Sequence, residues 1–250
     1  MSDATTEAAV QAIVERADRR FQRSRRDLWV SMDRLFAALM AGQWVFGLVL
    51  ALTVSPWAWA GTERSVNPHV LAALGIGTLL SGMPIALAFL RPGWVVTRHV
   101  IAVAQMLWSA LLVHLTGGRI ETHFHVFGSL GFLAGYRDWP VLLTATLVVA
   151  VEHFVRGLVW PESIYGIVNP EWWRFLEHAF WVVFAVSFLT VLCRRGVREM
   201  RTLEERGAEL EALAESEWTM HSVVDRPVDD DVREPKPLAT FDRASRFATS

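Results

Sequence analysis

One cysteine in 250 residues, Cys193, excludes an intramolecular disulfide and every motif that needs paired thiols, zinc ribbon or redox pair alike. It sits at the end of an apolar run and reads as a small buried residue. No nucleotide-binding loop, kinase motif or cyclase-like motif occurs, so no output enzyme is recognisable. The long hydrophobic segments lack the alternation of a barrel strand, which excludes a membrane β-barrel. No internal repeat supports a transporter. The net charge is only −2 and the basic clusters abut lipid-like runs, which argues against a nucleic-acid partner.

What remains is strongly apolar. Hydrophobic residues make up 52 %, mean hydropathy is +0.29 and there are 12 tryptophans, well beyond a soluble domain of this length. The apolar residues fall in runs at 36–56, 69–90, 94–115, 124–139, 141–159 and 175–193, near the ~20 residues a spanning helix needs, with the fourth short. Backbone in lipid must bond to itself, so the runs are helices. The expected fold is an all-α integral membrane protein: a six-helix transmembrane bundle over 35–193, preceded by a basic amphipathic helix at 1–34. A cytoplasmic helix at 194–218 and a disordered tail at 219–250 follow it.

Arginines set the orientation. Arg16, Arg19, Arg20, Arg23, Arg25 and Arg26 precede the first run, and Arg194, Arg195 and Arg198 follow the last. The positive-inside bias places both termini in the cytoplasm, as an even number of spans requires. Arg91, Arg98 and Arg137 fall in short connections on that side, while Arg64, Arg119, Arg156 and Arg174 fall on the other. A multi-pass protein of a bacterial inner membrane is expected. No signal-peptide cleavage pattern follows the first run.

Residues 7–30 carry the stripe Val10, Ile13, Val14, Ala17, Phe21 and Leu28, with arginines on the other faces. Such a helix either lies on an anionic leaflet or simply extends the first span. Beyond the last span, Met200, Leu203, Gly207, Leu210 and Ala214 make a two-heptad seam, weak alone but able to pair two copies when continuous with a membrane helix. A homodimer is therefore expected. Gly75, Gly77, Gly82 and Pro84 in the second run read as close packing, and Trp57, Trp59, Trp160, Tyr165, Trp172 and Trp173 as an interfacial belt. Pro161 and Pro170 make the loop WPESIYGIVNPEWW an ordered cap.

Ionisable residues inside membrane segments are costly and mark functional sites. Here they cluster: His114; Glu121, His123 and His125; Glu152 and His153; Glu177 and His178. At about 1.5 Å rise per residue, all fall in one layer near the outer rim. Imidazoles and carboxylates from several helices suit a transition metal such as Zn, Cu or Fe, with haem b between two facing histidines as the alternative. His114, Glu121, His123, His125, His153 and His178 are the candidate ligands. Glu152, Glu177 and Arg156 are the candidate outer partners. Glu121 and His125, at i and i+4, share a face, and His123 points elsewhere if helical. Gly128, Gly131 and Gly135 suit either a porphyrin or close packing. His99, at the opposite end, stands apart, and His69 is left out.

The run GGRIETHFHVFGSLGFLAGYRDWPVLLTATLVVAVEHFVRGLVWPESIYG, with EWWRFLEHAFW after it, resembles a membrane sensor region found N-terminal to bacterial histidine kinases, diguanylate cyclases and chemotaxis receptors. The likeness covers about residues 94–193. It implies an input module in which Glu121, His123, His125, His153 and His178 matter; with no output domain recognisable, the expectation is either a free-standing module acting on a separate cytoplasmic signalling protein or a truncated or diverged copy. An intramembrane metal-dependent enzyme, or a haem protein relaying electrons or protons, is the competing reading.

Overall fold

The computed structural model describes residues 3–54, 57–60, 63–66, 68–167, 171 and 173–224. The side chains of Trp57, Trp59 and His69, the residues Pro170 and Trp172, and the tail from 225 onward lie outside the described residues. Among the described residues the chain runs through seven α-helices: α1 (Asp3–Val54), α2 (Pro68–Leu90), α3 (Val95–Leu115), α4 (Ile120–Leu133), α5 (Trp139–Val159), the one-turn α6 (Glu162–Tyr165) and α7 (Arg174–Val224). A two-stranded antiparallel hairpin, β1 (Trp57–Ala60) with β2 (Glu63–Val66), joins α1 to α2. Among the described residues, those up to 208 form one compact unit, and 209–224, which are helical, belong to a second.

Five helices, α1, α2, α3, α5 and α7, are long and apolar enough to cross a membrane. The fourth expected span does not reach that length. α4 has 14 residues, a rise of about 21 Å, and ends in the 3-10 turn Ala134–Tyr136. Arg137 then turns left-handed at φ 52°, and Pro140 starts α5 in its first turn, where a missing N–H costs nothing.

α1 is one unbroken helix of 52 residues, about 78 Å. A rod without a break cannot both lie along a leaflet and cross it, so the basic segment extends the first span. Its stripe is used against α7: Ala17 and Phe21 are buried, as is Ala208. Arg20 Nε donates to Glu204 Oε2 at 3.0 Å, Ser24 Oγ donates to Glu204 Oε1 at 2.6 Å, and Arg201 Nη2 donates to Asp18 Oδ1 at 2.8 Å. The Ser24 hydroxyl and then the Arg20 guanidinium hold the Glu204 carboxyl below its usual value of 4.5. A carboxylate whose folded pKa is depressed adds stability above its unfolded pKa and loses it as pH falls through the folded one. Hydrogen-exchange protection in 194–208, taken relative to the intrinsic rate at each pH, should therefore fall on acidification below about pH 4.5, and Glu204→Gln should flatten that response.

α3 is the central rod. Two thirds of its membrane window is buried (67 %), against 6 % for α7. One apolar cluster joins Phe36 and Met40 of α1, Ile101 and Met106 of α3, Leu130 and Leu133 of α4, and Leu142 of α5. A second gathers α1 and α2 around Trp108, whose Nε1 donates to Ser81 Oγ at 3.0 Å. A Cβ at Gly77 would stand 3.0 Å from the Trp108 ring, so packing is the use of that glycine.

The arginine-rich end is closed by a polar knot. Arg98 Nε meets Asp138 Oδ2 at 2.5 Å, with its guanidinium 3.9 Å from the Trp29 ring centre. Asp33 accepts from Tyr136 Oη at 2.8 Å and from the Gly93 amide at 2.6 Å. The YRDW motif is thus the joint that ties α1, α3 and α5 together. Arg137 Nη1 also donates to the Gly196 carbonyl of α7 at 3.1 Å, and Cys193, buried, faces the Ala134 carbonyl.

A three-histidine pocket beneath a short cap

Three helices each bring one imidazole to the end opposite that knot: His123 from α4, His153 from α5 and His178 from α7. The His123 ring centre lies 5.8 Å from that of His153 and 5.6 Å from that of His178, both edge to face. Every Nδ1 faces an oxygen. His123 Nδ1 donates to the Arg119 carbonyl at 3.0 Å and His178 Nδ1 to the Arg174 carbonyl at 2.9 Å, each one turn back along its own helix. A carbonyl only accepts, so in both rings the proton sits on Nδ1 and the lone pair on Nε2. His153 Nδ1 lies 2.6 Å from Glu152 Oε2, and the other oxygen of that carboxylate pairs with Arg156 Nε at 2.7 Å. Arg156 Nη1 also donates to the Ala110 carbonyl of α3 at 3.1 Å, which fixes the Glu152–Arg156 pair in place. His123 Nε2 is buried and has no partner among the described residues.

A cavity of about 80 Å³ opens beside these rings, between α4, α5 and α7, with Val126, Val149, Ala150 and Val182 on its walls. A wider groove of about 710 Å³ between α4 and α7 carries Glu177 and Arg174 together with His123 and His178. Over the histidines lies a cap. The turn at Gly117 and Gly118 takes positive φ and packs backbone to backbone on residues 164–166. It seats α6 so that the Tyr165 ring stands 5.6 Å from that of His178.

The other candidate residues are placed elsewhere. His114 meets Ser163 Oγ of the cap at 2.9 Å and stands edge-on to Trp160, so it tethers the cap. Glu121 is exposed beside Arg119 at 3.6 Å. His125 points the opposite way from His123, toward α1 and α3. Gln43 Nε2 donates to its Nε2 at 2.9 Å, and its Nδ1 donates to Ser109 Oγ at 2.8 Å, the Ser109 hydroxyl proton being spent on the Gln105 carbonyl. α4 is helical at its mouth, so His123 and His125 point about 200° apart, and α4 gives the α5–α7 side to His123. His99 meets Thr144 at the far end. Among the described residues, no three His, Cys, Asp or Glu side chains stand arranged to hold a metal ion. Tyr165 and the Arg119 and Arg174 carbonyls are the functional neighbours that sequence reasoning missed. Only Tyr165, five residues after Trp160 in the proline-bounded loop, left a trace there.

No family model and no solved structure matches this chain. One curated protein does: over 155 residues it is 30 % identical to "Transducer protein Htr8" of Halobacterium salinarum, a stretch covering 57 % of this chain and 23 % of that protein. The chain thus spans about a quarter of its relative's length. The likeness and the apolar helices together make this a membrane protein related to a signal-transducer region.

Proposed function

We propose that this chain is the membrane-embedded input part of a signal-transduction system, and that its sensing site is the meeting point of His123, His153 and His178. The observation that carries the reading is the common arrangement of the three rings. With Nδ1 turned to an oxygen, each offers Nε2, as histidines that ligate metals do. A transition metal about 2.0–2.1 Å from three Nε2 atoms would set the ring centres about 5 Å apart, so His153 and His178, now 5.8 and 5.6 Å from His123, would both have to move in. Imidazole ligands without thiolate suit Zn, Cu or Fe. The pocket fits a bare ion better than haem, since edge-to-face rings beside a cavity of about 80 Å³ leave no slot for a porphyrin. An enzymatic reading has less support, because Glu121 and Glu177 are exposed and Glu152 is engaged by Arg156 and His153.

In this reading the histidine end faces outward and the arginine-rich end lies in the cytoplasm of a prokaryotic cell. A second copy and a cytoplasmic signalling protein are its partners. α7 carries the signal. It bears His178 in its first turns, is nearly free of packing through the membrane, and is gripped below by Arg137 at Gly196 and by Arg20 and Ser24 at Glu204. Drawing His178 toward His123 and His153 tilts α7 against those grips. Zinc or copper(II) added to chelator-stripped protein in lipid nanodiscs should change hydrogen exchange in 196–208 by several-fold. Unchanged exchange with metal bound would sink the signalling role while leaving the site.

A further inference from the structure

The cavity beside the histidines has a property that a bare metal site does not need. It continues below the rings between α4, α5 and α7, walled by valine, alanine and phenylalanine side chains. Thr146 also borders it, but its hydroxyl is spent on the Leu142 carbonyl at 2.7 Å. Among the described residues, two buried ring nitrogens of this wall lack a hydrogen-bond partner: His123 Nε2, in a side chain only 6 % exposed, and His153 Nδ1, which has Glu152 Oε2 at ion-pair distance; His123 Nε2 is the bare acceptor. A buried acceptor left bare is costly, so the site calls for a donor. Water suits it poorly, because an ordered water wants two to four polar partners and this wall offers few. An apolar stem ending in a single hydroxyl satisfies both the walls and the lone pair.

We infer that this cavity binds a small neutral alcohol, its hydroxyl on the histidine edge, entering sideways from the lipid phase between α4 and α7. The inference rests on reading the histidine edge as the sensing site. It does not depend on the metal: the hydroxyl oxygen donates to the bare imidazole, or occupies the open position of an ion held by the three rings. Size follows from volume. A cavity of about 150 Å³ takes a benzene ring, so about 80 Å³ takes roughly three or four heavy atoms. Ligands that small bind with dissociation constants no tighter than about 0.5 mM for three heavy atoms and about 0.04 mM for four. The entry side is set by exposure: Val183 and Phe127, on the rim, face outward, and α7 is barely packed. An occupant there sits against the helix that leads to 194–208.

The test uses the full chain as purified, in phosphatidylcholine nanodiscs, with 2-fluoroethanol as probe and fluorine NMR as readout. Saturable binding in the millimolar range is expected, lost in Ala150→Leu and in Ala179→Leu, two cavity-filling variants on different helices whose folding is checked by helical circular dichroism. 1-Fluoropropane, without the hydroxyl, should bind at least tenfold more weakly, and His123→Leu should abolish that preference. Linear, unsaturable uptake equal in all proteins means lipid partitioning alone and overturns the inference, as does saturable binding that both filled variants keep. Elemental analysis of the same samples separates the two claims. Saturable binding without metal removes only the metal, and metal without saturable binding removes only the alcohol site.

Discussion

Asp138→Ala should destabilise the bundle by about 3–5 kcal/mol, a larger effect than removing any one of the clustered histidines. Arg98 has 6 % of its side chain exposed and Asp138 13 %, and they meet at 2.5 Å. Truncating one partner leaves the other charge buried without compensation, and that penalty sets the magnitude. Arg98 has little else to turn to: its face stacks on Trp29 and its Nη1 has no hydrogen-bond partner among the described residues. Replacing both residues together, Arg98→Met with Asp138→Leu, should recover most of the loss, because two apolar groups of similar volume leave no orphaned charge. Thermal unfolding in detergent, followed by circular dichroism, distinguishes these outcomes. A single variant as stable as the parent would show that the knot at the YRDW motif does not hold α3 to α5.

Gly118→Ala should cost at least about 2–3 kcal/mol locally and release the cap. A methyl group there would stand 2.5 Å from the Gly166 amide nitrogen and 2.7 Å from the Ile164 carbonyl oxygen, both backbone atoms that cannot swing aside. Its φ of +76° adds about 1–2 kcal/mol of left-handed strain for any residue with a Cβ. With the turn displaced, Ser163 leaves His114 and Tyr165 leaves His178, so proteolysis within 161–167 should accelerate strongly. Gly117 supplies the control. Its φ is +68° but nothing lies within 4 Å of the place an alanine methyl group would take, so Gly117→Ala should show the strain without the displacement.

Depth was legible in the sequence and azimuth was not. The apolar runs mark α2, α3 and α5 nearly residue by residue, because hydrophobic length and the need for internal backbone hydrogen bonds leave little choice. That His123, His153 and His178 come to one end of the helices follows from counting residues along those rods. Which way each ring points does not. In HFHVF, His123 and His125 compete for the inward face, and the outcome depends on Gln43, 82 residues away from His125, supplying a partner on the other side. Likewise Glu152 has both Arg156 and His153 within reach, and takes both because Arg156 is also held by the Ala110 carbonyl of α3. The end of α4 was missed for a related reason. The apolar run continues through Gly135 and Tyr136, but Tyr136 turns inward to Asp33 and Arg137 takes a left-handed turn, so the helix stops where the knot begins. The basic N-terminal stripe left two arrangements open, and the unbroken course of α1 chose between them, with the Glu204 contacts to Arg20 and Ser24 in keeping.

The most direct test of the account is the metal content of the purified protein and of four single variants, by elemental analysis after expression in metal-supplemented medium. The three-histidine site predicts close to one transition-metal ion per chain in the parent, a several-fold loss in His123→Ala and His153→Ala, and parental content in His125→Ala and His99→Ala. A parent without metal, or a parent whose metal survives loss of His123 but not of His125, would contradict it.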